Sequence, residues 1–190
     1  SKKIILMIPI LIASMLALFT VISADSYFTD RVNFSIDNTN TSALVYMQGF
    51  DDTKNSLAIT DGLGLGFQML GTQPASVYSY AIAKSMGSSS SELNRSDGGF
   101  FAAKLISEFG AFGIILTAIF IAIIGKSIFK IRSILNKNKE NTDFITIAAY
   151  TSTIAFSVEF FVRGAGYFSP GFFIFLVSLA FIKSKNTKSK

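Results

Sequence analysis

The fold is decided by residues 93–115, which read LNRSDGGFFAAKLISEFGAFGII. The stretch contains four ionisable side chains, Arg95, Asp97, Lys104 and Glu108. They stand directly before an apolar run that continues to Gly125, and such a run is typical of a helix crossing a hydrocarbon core, which needs about 20 apolar residues. Ionisable groups at the edge of that core cost free energy unless they face protein or a water-filled cavity. The stretch therefore predicts a membrane helix with a functional, polar outer end.

The composition of the whole chain agrees with a membrane protein. Half of the 190 residues are hydrophobic, 15% are charged, and the mean hydropathy is +0.49, whereas soluble domains carry about 25% charged residues. Four apolar stretches predict an all-α, polytopic single domain over 1–190, with spans near 4–24, 100–125, 144–162 and 167–182. The first stretch also fits a signal peptide, because Lys2 and Lys3 precede it. The chain begins with Ser rather than Met, and we expect it to be the C-terminal part of a longer protein.

Charge placement orients these spans. Basic residues concentrate at the N-terminus, in 126–143 and after Ile182, and these three segments hold 11 basic and two acidic residues. The positive-inside rule assigns all three to the cytoplasm, so both termini lie inside and the large loop near 25–99 lies outside. The sequence pI of about 9.4 then reflects topology and anionic lipid rather than a nucleic-acid partner.

The chain has no cysteine and no histidine. Disulfides and metal sites of the usual His/Cys kind are therefore excluded for this sequence. A histidine general base is excluded as well, so any chemistry must use carboxylates, Lys, Arg, Tyr or backbone groups.

The outer loop contains a glycine-rich segment, 60–74, which reads TDGLGLGFQMLGTQP. Short helices are predicted on either side of it, at 42–50 and 76–86. The segment does not match the dinucleotide-binding fingerprint, because the required third glycine is missing after Gly64 and Gly66. Two interpretations stay open: a structured turn, or a substrate-contacting loop in which Asp61 or Gln68 meets a polar ligand.

Lys104 and Glu108 are four residues apart and share one face of the predicted helix. An ion pair between them would contribute only a few tenths of a kcal/mol, in the weaker Lys-before-Glu order, so stability alone hardly explains them. Ser96 or Asp97 suits the N-cap of this helix. Free backbone N–H groups at such an N-terminus also favour anion binding.

A second polar cluster lies in 158–172, VEFFVRGAGYFSPGF, where Glu159 precedes Arg163 by one helical turn. A charged residue near the centre of an apolar helix costs roughly 2.5 to 3.5 kcal/mol on insertion scales. One interpretation is an arginine that extends to the interface with a glutamate partner. The other is an arginine fork that receives phosphate oxygens while Glu159 holds it in position. Both clusters are predicted on the outer side, where a lipid diphosphate would fit.

Three segments carry a resemblance to a known family. GLGLGFQMLGT (62–72), the stretch 93–115 and FFVRGAGYFSPGFF (160–173) together resemble the C-terminal third of bacterial O-antigen polymerases. The resemblance implies a multi-helix fold like that of GT-C glycosyltransferases, in the bacterial inner membrane, with a large periplasmic loop. It implies polymerisation of undecaprenyl-diphosphate-linked oligosaccharide repeat units in lipopolysaccharide biosynthesis, without nucleotide, metal or other cofactor. The implied partners are those glycans, membrane lipid and a chain-length regulator protein.

The resemblance also suggests roles for individual residues. Arg95 and Arg163 would bind the diphosphate with Lys104 as an auxiliary cation, and Asp97 or Glu108 would accept the proton of the acceptor hydroxyl. Supporting positions are Glu159, Asp61 and Gln68. O-antigen ligases, the sister family, are expected to carry a histidine in the late periplasmic loop, and its absence here favours a polymerase. The rival hypotheses are a transporter or flippase fragment, and a non-catalytic membrane subunit.

Overall fold

The computed structural model describes residues 20, 29, 35–37, 40–92, 95–136, 144–162, 164 and 166–188. Within these ranges the chain forms helices and no strands, and the helices are α1 (Thr41–Ile59), α2 (Val77–Ser85), α3 (Phe101–Asn136), α4 (Phe144–Phe161) and α5 (Pro170–Lys188). The all-helical prediction is therefore confirmed for this part of the chain. The span predicted near 4–24 falls, except for residue 20, outside the described residues.

Helix α1 is longer than the helix predicted at 42–50. It starts where the Asn40 side chain accepts hydrogen bonds from the backbone N–H groups of Ser42 (3.1 Å) and Ala43 (3.3 Å), a common N-cap arrangement. It continues to Ile59 because a buried stripe with four-residue spacing packs against neighbouring helices; its members are Leu44, Gln48, Asp52 and Ser56. Three of these four are polar, which is why hydropathy alone ended the helix too early.

Helix α2 confirms the helix predicted at 76–86. The hydroxyl of Ser76 accepts from the Ser79 N–H at 3.2 Å and caps the first turn. The Gln48 amide donates to the Ser79 hydroxyl at 2.9 Å, and this bond between two fully buried side chains ties α1 to α2.

Helix α3 is broken at Gly110, which has φ 57° and ψ −132°. A Cβ atom at Gly113 would meet the carbonyl oxygen of Leu105, although residues eight apart in a straight helix are separated by about 12 Å along the axis. The segment before the break therefore folds back against the segment after it. The span predicted at 100–125 thus consists of a short polar helix and a long apolar one.

The glycine-rich loop fills the break. The carbonyl oxygen of Gly62 accepts from Ala111 N–H at 2.8 Å, and the N–H groups of Leu65 and Gly66 donate to the carbonyls of Ser107 and Glu108, both at 2.9 Å. Residues 62–66 and 107–111 are called the junction below. Gly64 has φ +86°, and a Cβ there would overlap the backbone at Glu108 and Gly110, so this close approach requires glycine.

Helices α3, α4 and α5 pack around aromatic side chains. The buried rings come from all three helices, namely Phe101, Phe120, Phe156, Phe160 and Phe175. The centroids of Phe120 and Phe160 are 4.1 Å apart, and those of Phe156 and Phe175 are 4.8 Å apart. Pairs of this kind contribute about 0.5 to 1.5 kcal/mol beyond area burial, so the aromatic content of the sequence accounts for much of the packing.

Two described helices, α3 and α4, are long and apolar enough to cross a membrane. Much of the apolar surface of α3 is exposed, including Phe112, Ile115 and Phe129, which suits a lipid environment better than water. Helix α4 agrees with the span predicted at 144–162. Helix α5 starts at Pro170, three residues later than predicted, and Tyr167 belongs to the connection between α4 and α5.

Candidate functional site

Lys104 occupies the polar first part of α3 and is 4% exposed. Its Nζ atom donates to the carbonyl oxygen of Ser96 at 2.7 Å. The same atom lies 5.4 Å from the ring centroid of Tyr167, a cation–π contact. The fold thus holds a buried ammonium between the segment just before α3 and the connection that follows α4.

Glu108 is 1% exposed and accepts hydrogen bonds from the glycine-rich loop. Its carboxyl oxygens accept from the backbone N–H groups of Gln68 (3.1 Å) and Leu70 (3.4 Å). It forms no ion pair with Lys104, although the two share a helical face. The carboxyl therefore fastens the loop to α3, and the sequence prediction of Glu108 as a base remains a prediction.

Arg95 is anchored by two acceptors. Its guanidinium forms bonds of 2.8 and 2.9 Å to the carboxylate of Glu92 and donates to the carbonyl oxygen of Gln73. Asp97 is exposed two residues later. Because the Lys104 ammonium binds the carbonyl of Ser96, Lys104 lies beside the short segment that carries Arg95 and Asp97, and the roles predicted for these three residues remain predictions.

The N-cap predicted for this helix is not observed. Helix α3 begins at Phe101 after two glycines of positive φ, Gly98 (+73°) and Gly99 (+74°). Neither Ser96 nor Asp97 stands at the position that could cap it, because the two glycines turn the chain away before the first helical residue. Gly99 packs so closely against the carbonyl of Val45 in α1 that a Cβ would not fit.

Asp52 is a site residue that the sequence analysis missed. It is 4% exposed, and burial, together with the neighbouring Asp51 charge, raises its pKa from 3.8 to about 6, while the Arg95 charge and a hydrogen bond from Gln73 act in the opposite direction. The Gln73 amide also donates to the backbone carbonyl of Asp52 at 3.4 Å. Residues Asp52, Gln73, Glu92 and Arg95 are called the polar cluster below.

The polar cluster contains an unmatched atom. The Oε1 atom of Gln73 is buried without a hydrogen-bond partner among the described residues, and buried polar atoms are rarely left so. A sequence signal for Asp52 did exist, since Leu44, Gln48 and Asp52 recur at four-residue spacing, but polar residues at such positions resemble a solvated face.

Glu159, predicted as a supporting residue, is half-buried near the end of α4. It accepts a hydrogen bond of 3.3 Å from the Ser169 hydroxyl and lies so close to Gly171 that a Cβ there would overlap the carboxylate. Its predicted partner Arg163 lies outside the described residues. The adjacent Gly164 is described, and a Cβ there would stand 3.0 Å from the Gly99 carbonyl, so Gly164 lies beside the turn just before α3.

Asp61 and Gln68 lie on the glycine-rich loop and are both exposed. Each has a positive φ, +51° for Asp61 and +60° for Gln68, which is uncommon for residues other than glycine. Their side chains are accessible to a polar ligand, while the Gln68 backbone is held by Glu108. The loop is therefore a structured turn, and its exposed side chains also leave the ligand-contacting interpretation open.

An aromatic cavity of about 520 Å³ lies beside α3. Its walls come from α3, α4, α5, the connection between α4 and α5, and the glycine-rich loop, and they are almost wholly apolar; they include Phe67, Phe109, Phe120, Phe160, Tyr167 and Phe172. Tyr167 lines this cavity and its ring centroid lies 5.4 Å from Lys104 Nζ, although Lys104 itself is not among the lining residues. The Tyr167 hydroxyl is buried and faces Glu108, but it forms no hydrogen bond of normal geometry within the described ranges.

In comparisons with known proteins, no family model, no curated protein and no solved structure matches this chain.

Proposed function

We propose that this chain belongs to an O-antigen polymerase-like glycosyltransferase of the bacterial inner membrane. It joins undecaprenyl-diphosphate-linked oligosaccharide repeat units on the periplasmic face, in a fold with four spans in this chain and both termini of the chain in the cytoplasm. The proposal rests on the resemblance of 62–72, 93–115 and 160–173 to that family, together with the charge placement along the chain.

One structural observation supports this proposal most strongly: Tyr167 lines the aromatic cavity, and its ring also forms a cation–π contact with the buried Lys104 ammonium. A substrate with an apolar tail and an anionic head needs these two environments next to each other. An isoprenoid tail in the cavity would bring its diphosphate toward Tyr167 and the neighbouring Lys104 ammonium.

The chemistry follows from the leaving group. The bond between the anomeric carbon and a diphosphate oxygen breaks, and negative charge grows on the diphosphate as it departs. Fixed cations in a site of low dielectric stabilise that charge, and Lys104, Arg95 and Arg163 are assigned this role. The acceptor hydroxyl attacks the anomeric carbon and gives its proton to a carboxylate. Asp97 suits this step better than Glu108, because it is exposed whereas Glu108 is occupied with backbone N–H groups.

The test is to supply purified lipid-linked repeat unit to the complete protein in vesicles. A polymerase produces a ladder of chain lengths. A transporter or flippase would move labelled substrate across the membrane without lengthening it, and a ligase would transfer the glycan to another acceptor without lengthening it. Absence of any extension by correctly inserted protein would overturn the proposal.

Arg163 offers a sharper version of the same test. We expect Arg163→Ala to abolish chain extension while the protein remains inserted. Arg163→Lys should also fail if two-pronged contact to the diphosphate matters, since lysine is a point charge without the planar fork. A normal ladder from Arg163→Ala would remove Arg163 from the mechanism.

A further inference from the structure

The tip of the glycine-rich loop exposes two apolar side chains, of which Phe67 lines the aromatic cavity and Leu63 has no role in the proposed reaction. Leu63 is 81% exposed and Phe67 is 54% exposed. Single exposed apolar residues are normal on soluble proteins. The loop tip differs because its backbone is bonded to the membrane-crossing helix α3 at the junction, so its position relative to that helix is fixed.

The depth of the junction follows from the length of α3. Sixteen residues separate Gly110 from Lys126, which corresponds to about 24 Å of helix, whereas a hydrocarbon core is about 30 Å thick. Lys126 is exposed and starts the basic segment assigned to the inner face. Because its side chain can extend to the inner boundary, Gly110 lies at or inside the outer boundary of the core. Tilting α3 would move Gly110 deeper.

Leu63 lies at the same level as Gly110. A Cβ placed on Gly110 would touch the backbone of Gly62, Leu63 and Gly64. The apolar surface continues from the loop onto the span, where Phe112 and Ile115 are more than half exposed. Loop tip and helix thus form one apolar surface at the outer edge of the bilayer.

Lipid requires that polar backbone groups are satisfied within the protein. The N–H groups of the loop tip meet this condition, whereas the carbonyls of Leu63, Gly64 and Leu65 accept no hydrogen bond in the described part of the chain. All five N–H groups from Gly62 to Gly66 have acceptors: the carbonyls of Leu57, Thr60, Ser107 and Glu108, and the Thr60 hydroxyl. A loop exposed to water would not need so complete a set, because water could supply the acceptors.

We propose that the tip of the glycine-rich loop inserts into the outer leaflet, with Leu63 as its deepest side chain and lipid acyl chains as its partner. The proposal rests on the membrane topology proposed above and is independent of any transferase activity. The exposed Asp61 and Gln68 on either side of the tip then mark the level of the lipid head groups.

The chain has neither tryptophan nor cysteine, so a single reporter is unambiguous. Leu63→Trp and the control Tyr80→Trp, on the exposed face of α2, are placed in the full chain in phosphatidylcholine and phosphatidylglycerol vesicles. With lipids brominated on the acyl chains, we expect several-fold stronger quenching of the Trp at 63 than of the Trp at 80, and the reverse order with aqueous acrylamide.

Two results would overturn the proposal. Strong acrylamide quenching at 63 means that the tip lies in water, and shielding from both quenchers means that protein covers it.

If Leu63→Trp loses helical circular dichroism, Leu63→Cys replaces it, with Tyr80→Cys as control. A membrane-impermeant maleimide should then label residue 80 and spare residue 63, and equal labelling would refute insertion. Neither readout depends on chain extension, so failure here is distinct from failure of the transferase proposal.

Discussion

The junction and the polar cluster lie at two ends of the same glycine-rich segment and satisfy their polar groups very differently. At the junction, loop N–H groups bond to the carbonyls freed by the helix break. In the polar cluster, Gln73 Oε1 is buried without a partner in the described part of the chain, and burial shifts the pKa of Asp52 to about 6. Paired backbone groups stabilise a fold, whereas buried polar groups without partners and perturbed pKa values are typical of functional sites.

The largest expected effect comes from Gly110→Ala at the junction. Alanine there adopts an unfavourable backbone conformation and overlaps the backbone at Gly62, so we expect a loss of about 3 to 5 kcal/mol in the free energy of unfolding. The matched control is Gly125→Ala in the same helix, where a Cβ meets nothing within 4 Å and stability should hold or rise slightly. Denaturant titration in micelles measures the free energy of unfolding of both variants. Equal stabilities would contradict the helix break at Gly110.

Glu108→Gln tests the other attachment of the loop. The substitution removes a carboxyl oxygen and turns an amide donor toward a backbone N–H, which should cost about 2 to 3 kcal/mol. Asp97→Asn is the control because Asp97 is exposed, and its stability should change by less than about 0.5 kcal/mol. Thermal unfolding of both variants measures these changes. A Glu108→Gln variant as stable as the unmodified protein would mean that the carboxyl does not hold the loop.

How far the sequence predicts this structure depends on whether a feature is local. A long apolar run can be recognised from neighbouring residues alone, so the sequence predicted helices α3 and α4. The charged residues at the start of the first run likewise identified Lys104 and Arg95 as candidates. The break at Gly110 depends on a loop more than 40 residues away, and glycine alone does not reveal that contact. Asp52 was missed because the burial of a polar helix face depends on which helices pack against it.

Asp52→Asn should produce the smallest change, visible as a pH dependence. The folded state keeps the proton on Asp52 up to about pH 6 and the unfolded chain releases it near 3.8, so the native state binds more protons between these values and stability falls as pH rises. The variant removes this slope and should be more stable at pH 7.5 by about 1 to 2 kcal/mol. Asp61→Asn, at an exposed position, is the control and should change the free energy of unfolding by less than about 0.5 kcal/mol. If Asp52→Asn leaves the pH dependence of stability unaltered, a group other than Asp52 is responsible for that dependence.

The most direct test of the account is chain extension by Lys104→Gln compared with Lys84→Gln, both inserted and helical. Lys84 is exposed on α2, whereas Lys104 is the buried cation that contacts Tyr167, a residue of the cavity wall. Loss of a fixed group that stabilises developing charge lowers rates by about 100-fold or more, so we predict that Lys104→Gln loses the ladder and Lys84→Gln keeps it. A full-length ladder from Lys104→Gln would contradict the assignment of the diphosphate site.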